Sequence, residues 1–359
     1  MRAFFLMVYK GMLCIILFIL YQILYMPQII RWGILGAGKI ARKFAADLSL
    51  VTDAKLTAVG ARSQQGADEF AAEFNIPHSH GSYLQLVTDP EVDIIYIATT
   101  HNFHFEHTLL CLNHNKAVLC EKPFAMNSRQ VKEMINVARE KKLFLMEALW
   151  TKFLPQYNKA LQMIKDGVIG EIRSIRADFG FRPQPPVADR LFDPALGGGS
   201  LLDIGIYPVF ITVSLLGKPV EIEATITPAP TGVDEQCAMT LKYENNTLAQ
   251  LFSTNASNTA TEADINGTEG RIMIRNRFHE HNATVSFTTG NKGGEVQQVV
   301  LEKDGSGWGY QYEARHAGEC LRNGLTESPV MSHQDSIDLI ETLDAIRKVA
   351  GIHYPADEG

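Results

Sequence analysis

Lys122, Asp203 and Tyr207 stand in settings where their side chains could move a proton during a redox reaction. Lys122 follows the apolar run Ala117-Val118-Leu119 in the string Cys120-Glu121-Lys122-Pro123. At the carboxyl end of a parallel strand, where open α/β sheets hold their ligands, an ammonium can polarise a carbonyl or take a hydroxyl proton. A surface lysine ahead of a turn is the competing reading. Further on, Gly197-Gly198-Gly199-Ser200-Leu201-Leu202-Asp203-Ile204-Gly205-Ile206-Tyr207-Pro208 places glycines before a helix and sets Asp203 and Tyr207 four residues apart. The glycines suggest close approach of a ligand, and the spacing puts a carboxylate and a phenol on one helix face. A lysine cation beside the phenol would lower its pKa enough for exchange with an alcohol. A buried tyrosine bonded to an aspartate would show the same spacing.

A carrier for the hydride is written earlier in the chain. The run Ile29 to Leu35 reads as a strand, Gly36-x-Gly38-x-x-Ala41 follows it, and an apolar-periodic stretch continues to about Leu50. Small residues there allow a tight turn and close approach to a pyrophosphate, which the helix N-terminus then holds. An ordinary strand-to-helix turn is the bland alternative. A second strand, Lys55 to Ala61, ends in Gly60-Ala61-Arg62-Ser63. An acidic residue at that point would select NAD; a guanidinium and a hydroxyl suit a 2′-phosphate, so NADP is expected over NAD. His101, His104 and His107 recur at three-residue steps, which rotate off a single helix face, and nothing nearby completes a zinc set, so no metal is expected and a loop near the nicotinamide is the better reading. His78/His80 and His279/His281 read as exposed strand or turn residues.

The elements that must position these groups alternate. Helices at Ala67–Phe74, Glu106–Asn115 and Ser128–Lys141 separate strands at Val92–Ala98, Ala117–Cys120 and Leu143–Glu147, which implies a doubly wound parallel sheet with helices on both faces. Past about Trp150 the strands alternate and are joined by hairpin-like turns: Glu171–Phe181, Val220–Thr227, Cys237–Tyr243, Thr247–Ser253, Arg271–Ile274, Thr284–Thr288 and Val296–Leu301. They predict an open, mostly antiparallel sheet, with helices at Leu154–Asp166, Ser200–Leu215, Tyr310–Asn323 and His333–Ala350. The fold class is therefore α/β. The expected division is 1–28, an apolar extension; 29–149, the nucleotide domain; and 150–359, a substrate and dimerisation domain whose last helix packs back on the first.

The length of 359 residues allows two domains with real cores, and 33 Lys+Arg against 40 Asp+Glu give a net charge of -7, which makes nucleic acid an unsuitable partner. Five widely spaced cysteines, with no C-x-x-C pair, fit a reducing, cytoplasmic location. Residues 3–25 disturb that reading. Met12 to Tyr25 is apolar apart from Gln22, with Lys10 just before it, and would serve either as a membrane anchor or as sequence upstream of a true start at Met26.

The Gly36 turn, Thr100-His101-Asn102-Phe103-His104, Glu121-Lys122-Pro123 and the Gly197–Pro208 string resemble the Gfo/Idh/MocA oxidoreductases from about Ile29 to the end of the chain. Met146–Phe153, Arg176–Gly180 and Leu202–Tyr207 resemble its dimeric dihydrodiol dehydrogenase and NADP-dependent D-xylose dehydrogenase branch. The resemblance implies a Rossmann domain, a second α/β domain whose open sheet forms a homodimer face, and a sugar or cyclic trans-diol as substrate. It implies Lys122 and Tyr207 beside the nicotinamide, with Asp203 completing the catalytic set. Gly36, Gly38, Lys39, Ile40, Arg62 and Ser63 are then nucleotide contacts, together with Thr99, Thr100, Asn102, His104, Glu121 and Lys122. Trp150, Arg173, Arg176 and Phe179 match positions that line or support the substrate pocket. Many relatives carry His at the Tyr207 position, which argues against inositol, and Thr-Pro where this chain has Thr100-His101. A non-catalytic NADP(H) sensor of the same fold is the alternative that intact Lys122 and Tyr207 oppose.

Overall fold

A computed structural model describes residues 28–185, 187–290, 295–300 and 307–358. The apolar run at 3–25, and with it the choice between anchor and upstream sequence, lies outside the described residues.

The first half alternates strand and helix: β1 (Ile30–Leu35), α1 (Lys39–Leu48), β2 (Ala54–Gly60), α2 (Gln64–Phe74), β3 (His78–His80), α3 (Tyr83–Val87), β4 (Ile94–Ile97), α4 (His104–Asn113), β5 (Ala117–Glu121), α5 (Ser128–Lys141) and β6 (Leu145–Ala148). The six strands pair in parallel in the order β3-β2-β1-β4-β5-β6. Every residue of β4, β5 and β6 is buried, as strands covered on both faces must be. The direction of winding reverses between β1 and β4, which opens a crevice at their carboxyl ends. β3 and α3 escape the sequence reading because His78-Ser79-His80 is short and polar.

The second half holds α6 (Pro155–Lys165), β7 (Ile172–Gly180), α7 (Val187–Leu191), a π-helical turn (Leu201–Gly205), α8 (Ile206–Leu216), β8 (Glu221–Pro228), β9 (Asp234–Lys242), β10 (Leu248–Thr254), β11 (Ala263–Gly267), β12 (Gly270–Arg275), β13 (Thr284–Thr289), β14 (Gln297–Val299), α9 (Tyr310–Arg322) and α10 (His333–Ala350). The eight strands run β14-β13-β12-β11-β7-β10-β9-β8, antiparallel except for the parallel β7/β10 pair. In β7, Ile175, Ala177 and Phe179 are buried while Arg176 is exposed, so one face packs and the other is open. The stretch Pro194–Leu216 is long and apolar enough to cross a bilayer, but most of it is buried inside the protein.

Contacts at α1 and α10 are among those that join the halves. Asp47 at the end of α1 accepts the backbone N–H groups of Trp308, Gly309 and Tyr310 at 2.8–3.0 Å, capping α9. From α10, Arg347 donates to the Met126 carbonyl, Asp344 accepts from the Ser128 N–H, and His333 meets the Leu145 carbonyl.

Candidate active site

The turn between β1 and α1 can only be built with glycine at its first position. Gly36 has φ +103°, and a Cβ there would lie 3.1 Å from the Ala98 carbonyl oxygen. Gly38 caps α1 without any side-chain bond, the first turn carries no acidic residue, and Gly38, Lys39 and Ile40 are exposed, so the helix N–H groups stand open to an anion. Across the crevice, at the end of β4, Thr100 donates to Asn102 and Thr99 pairs with His107, while the two ring nitrogens of buried His104 face the Pro123 and Thr99 carbonyls. At the end of β2, Arg62 and Ser63 are exposed; the Ser63 hydroxyl caps α2 by accepting the Gly66 N–H at 3.2 Å and keeps its own proton to donate. Arg62 forms no salt bridge or hydrogen bond with the described residues, and its charge acts on the nearby Tyr83 phenol.

Lys122, at the end of β5, meets the π-helical turn from the second half. Its Nζ donates to the Asp203 backbone carbonyl at 2.5 Å, lies 3.7 Å from Asp203 Oδ1, and sits 5.1 Å above the Tyr207 ring. The carbonyl is available for a sequence reason. In a π register the oxygen of residue 203 looks to the N–H of residue 208, and Pro208 has none. Asp203 Oδ1 also faces Arg190 Nη2 at 3.2 Å and His101 Nε2 at 3.5 Å, while the other ring nitrogen of His101 meets the Gly197 carbonyl. Tyr207 Oη accepts a bond from Trp150 Nε1 at 3.1 Å, and the phenol packs beside Phe179 and His279.

Charges in this buried cluster are sorted by their neighbours. Burial alone would raise the Asp203 pKa, but Lys122, Arg190 and His101 outweigh it and hold the carboxyl well below the usual range, so it is ionised. Tyr207 moves the other way: burial first, then the negative fields of Glu121 and Asp203, raise its pKa well above 10 against the opposing Trp150 bond. The lowered phenol pKa expected from the sequence is therefore overturned, because Lys122 is committed to Asp203 and desolvation dominates. Glu121 accepts from Tyr96 Oη and the Lys122 N–H, and burial pushes it up to about 7.

Glu147 Oε1 accepts the Phe124 N–H at 3.0 Å, which ties down the segment after Lys122, and burial pushes this carboxyl too up to about 7 from 4.5. A carboxyl that binds its proton more tightly when folded withdraws stability as pH rises from about 4.5 to about 7. Glu147→Gln keeps the acceptor and removes the ionisation. It should therefore raise the melting temperature above wild type at about pH 8 and change it little at about pH 4, as read by calorimetry at both values; an equal effect at both would refute the assignment.

Several expectations need correction. The gaps left by Gly198 and Gly199 are filled by protein: a Cβ on Gly198 would lie 2.6 Å from the Leu191 carbonyl, and one on Gly199 would strike Asp234. Close packing, not a ligand, requires them. Arg173 is exposed at the start of β7 in an ion pair with Glu171, six residues and about 20 Å along the strand from Phe179. Arg176 points to the open face, in a groove shared with Glu223, Thr240 and Asp264. Neither arginine joins Lys122 and Tyr207, whereas Trp150 and Phe179 do. His279 is buried against Phe179 and Tyr207, and His78 and His80 are half-buried on one oxygen of Asp89, at 2.7 and 2.9 Å. The sequence pattern makes each of them exposed because a strand or turn pattern does not report what a neighbouring element lays over it. Arg190 and His279 join this cluster without any signal in the sequence, whereas His101 lies in the loop read as close to the nicotinamide.

Residues 30–149 match the oxidoreductase family with an NAD-binding Rossmann fold, and residues 157–273 match the GFO/IDH/MocA C-terminal domain. The chain belongs to the Gfo/Idh/MocA family. It is similar to trans-1,2-dihydrobenzene-1,2-diol dehydrogenase of Mus musculus, at 39% identity over 92% of this chain and 99% of the relative. The Homo sapiens enzyme of the same name is 36% identical over 92% of this chain and 99% of its own. Among solved structures it resembles the 3-ketoreductase KijD10 from Actinomadura kijaniata, in complex with NADP and TDP-benzene, with a TM-score of 0.80, 28% identity and coverage of 90% of this chain and 98% of that one. The protein is an NAD(P)-binding oxidoreductase acting on CH-OH groups, built from a parallel Rossmann sheet and a mostly antiparallel second sheet.

Proposed function

We propose that this family member is an NADP-dependent dehydrogenase of a sugar or cyclic trans-diol, with Tyr207 as its acid and base. The observation that carries the reading is the state of Tyr207: its oxygen accepts from Trp150, its hydrogen goes to no described residue, and Lys122 stands over the ring. A phenol so held has its proton free for a substrate oxygen.

The crevice fits a dinucleotide, by the open α1 N-terminus and the Gly36 turn; when bound, the nicotinamide supplies or accepts the hydride. Tyr207 gives its proton to the nascent alkoxide in reduction; in oxidation it must first lose that proton to solvent and then, as the phenolate, takes the proton of the alcohol. Lys122, fixed by both oxygen types of Asp203, places a cation beside the charge that develops on the substrate oxygen. Asp203 is a positioning group, since its carboxylate is spent on Lys122, Arg190 and His101. Because burial keeps Tyr207 protonated, carbonyl reduction should hold its rate through neutral pH and alcohol oxidation should climb as pH rises.

Preference for NADP rests on Arg62 and Ser63. Arg62→Ala should cost about 1.5 to 3 kcal/mol of NADP affinity and little of NAD affinity by calorimetry; equal losses would remove the argument. KijD10, crystallised with NADP, accords with this choice.

A homodimer through the open face of the large sheet belongs to the same reading. The groove there carries Arg176, Glu223, Glu262 and Asp264, charges of both signs that a second copy can pair. Arg176→Glu should shift wild-type dimers toward monomers in sedimentation, and monomeric wild type would reject the interface. A cytoplasmic location suits Cys111, Cys120, Cys237 and Cys320, which are all buried and unpaired.

A further inference from the structure

Apart from Lys122, the side chains packed around Tyr207 are aromatic, and one of them carries an unpaired polar atom. His279, in the turn between β12 and β13, stacks on Phe179 with centroids 4.2 Å apart, lies 4.6 Å from Tyr207 and turns its edge to Trp150 at 6.2 Å. Its side chain is 4% exposed, its Nε2 is 3.5 Å from Glu280 Oε1, and its Nδ1 has no hydrogen-bond partner among the described residues. Arg277 lies over the Phe179 ring as well, its guanidinium 5.1 Å from the ring centroid. Burial first, then the nearby Arg277 and Lys122 cations, hold the imidazole pKa well below 6.5, so the ring is neutral. With its proton on Nε2 toward Glu280, a neutral ring leaves an acceptor lone pair on Nδ1.

A phenylalanine in this place would give the same stacking without an orphaned polar atom, and a buried acceptor left unpaired opposes folding. The fold keeps the imbalance next to the group that exchanges the substrate proton. We propose that His279 determines specificity: its Nδ1 accepts a hydrogen bond from a substrate hydroxyl beyond the vicinal pair that sugars and cyclic diols share, selecting polyhydroxylated substrates over a diol on an apolar ring. The acceptor distinguishes them, because a site built to bond a hydroxyl penalises an analogue that leaves it unpaired. This inference rests on the dehydrogenase reading above.

The test compares kcat/KM for D-xylose and for the trans-1,2-dihydrodiol of benzene, with NADP, in wild type, His279→Phe and His279→Asn. His279→Phe should lower the value for xylose about tenfold or more and that for the dihydrodiol less than about threefold, with NADP affinity unchanged. His279→Asn, which keeps an acceptor, should recover part of the xylose activity. Equal falls for both substrates would show that the imidazole only packs on Tyr207, and unchanged values would show that it contacts neither; both overturn the proposal. Wild type idle toward both substrates would instead overturn the dehydrogenase reading beneath it.

Discussion

Replacing Tyr207 by phenylalanine should lower kcat by about two orders of magnitude or more while leaving NADP affinity within experimental error of wild type. The phenyl ring preserves the packing with Phe179 and His279 and the contact under Lys122, so the lesion is confined to one hydroxyl. That hydroxyl is buried, protonated well past neutral pH, and free to donate because Trp150 has taken its acceptor side. The pH dependence should change with it: the rise of alcohol oxidation toward alkaline pH in wild type should disappear in the variant. A Tyr207→Phe enzyme with near-normal kcat would move the proton to Lys122 or a water, and the tyrosine would become a packing residue.

Lys122→Met should be comparably severe. It removes the cation over Tyr207 and leaves the Asp203 carbonyl without its 2.5 Å donor, while Arg190 still neutralises the Asp203 carboxylate and His101 Nε2 still faces it. The turn should therefore survive, and the loss should fall on kcat, by about two orders of magnitude, rather than on folding. Because the two groups act on one oxygen, the double variant should be scarcely worse than either single one. Losses that multiply in steady-state kinetics would mean that Lys122 and Tyr207 serve different steps.

The Rossmann half is legible because its signals are local: apolar strand runs, a Gly36 turn that steric contact with Ala98 enforces, and a strand end marked by Arg62. Lys122 is legible for the same reason, since a strand has only one carboxyl end. The second half is legible as a list of strands but not as a sheet, because the parallel β7/β10 pairing joins segments far apart in sequence and β11 carries a polar Asp-Ile-Asn-Gly string. Asp203 and Tyr207 were placed on one helix face by a four-residue spacing. The structure bends that stretch into a π turn, and Pro208, five residues after Asp203, is the residue in the sequence that accords with it. Arg173 and Arg176 read as pocket residues by resemblance alone, whereas the alternation of β7 already assigns Arg176 to the face opposite Phe179. His101 and His279 acquire meaning only from Asp203 and Tyr207, brought to them by tertiary packing across 102 and 72 positions that no local pattern spans.

The central claim is that this chain transfers a hydride between NADP and a hydroxyl-bearing carbon, with Tyr207 handling the proton. Its most direct test is mass spectrometry of the cofactor after incubation of wild type with NADP and a panel of pentoses, hexoses and trans-dihydrodiols deuterated at each oxidisable carbon in turn. The reduced cofactor should gain one deuterium from one defined carbon, with wild type and not at an appreciable rate with Tyr207→Phe. Reduced cofactor without deuterium from any labelled carbon, or no reduction across the panel, would contradict the account.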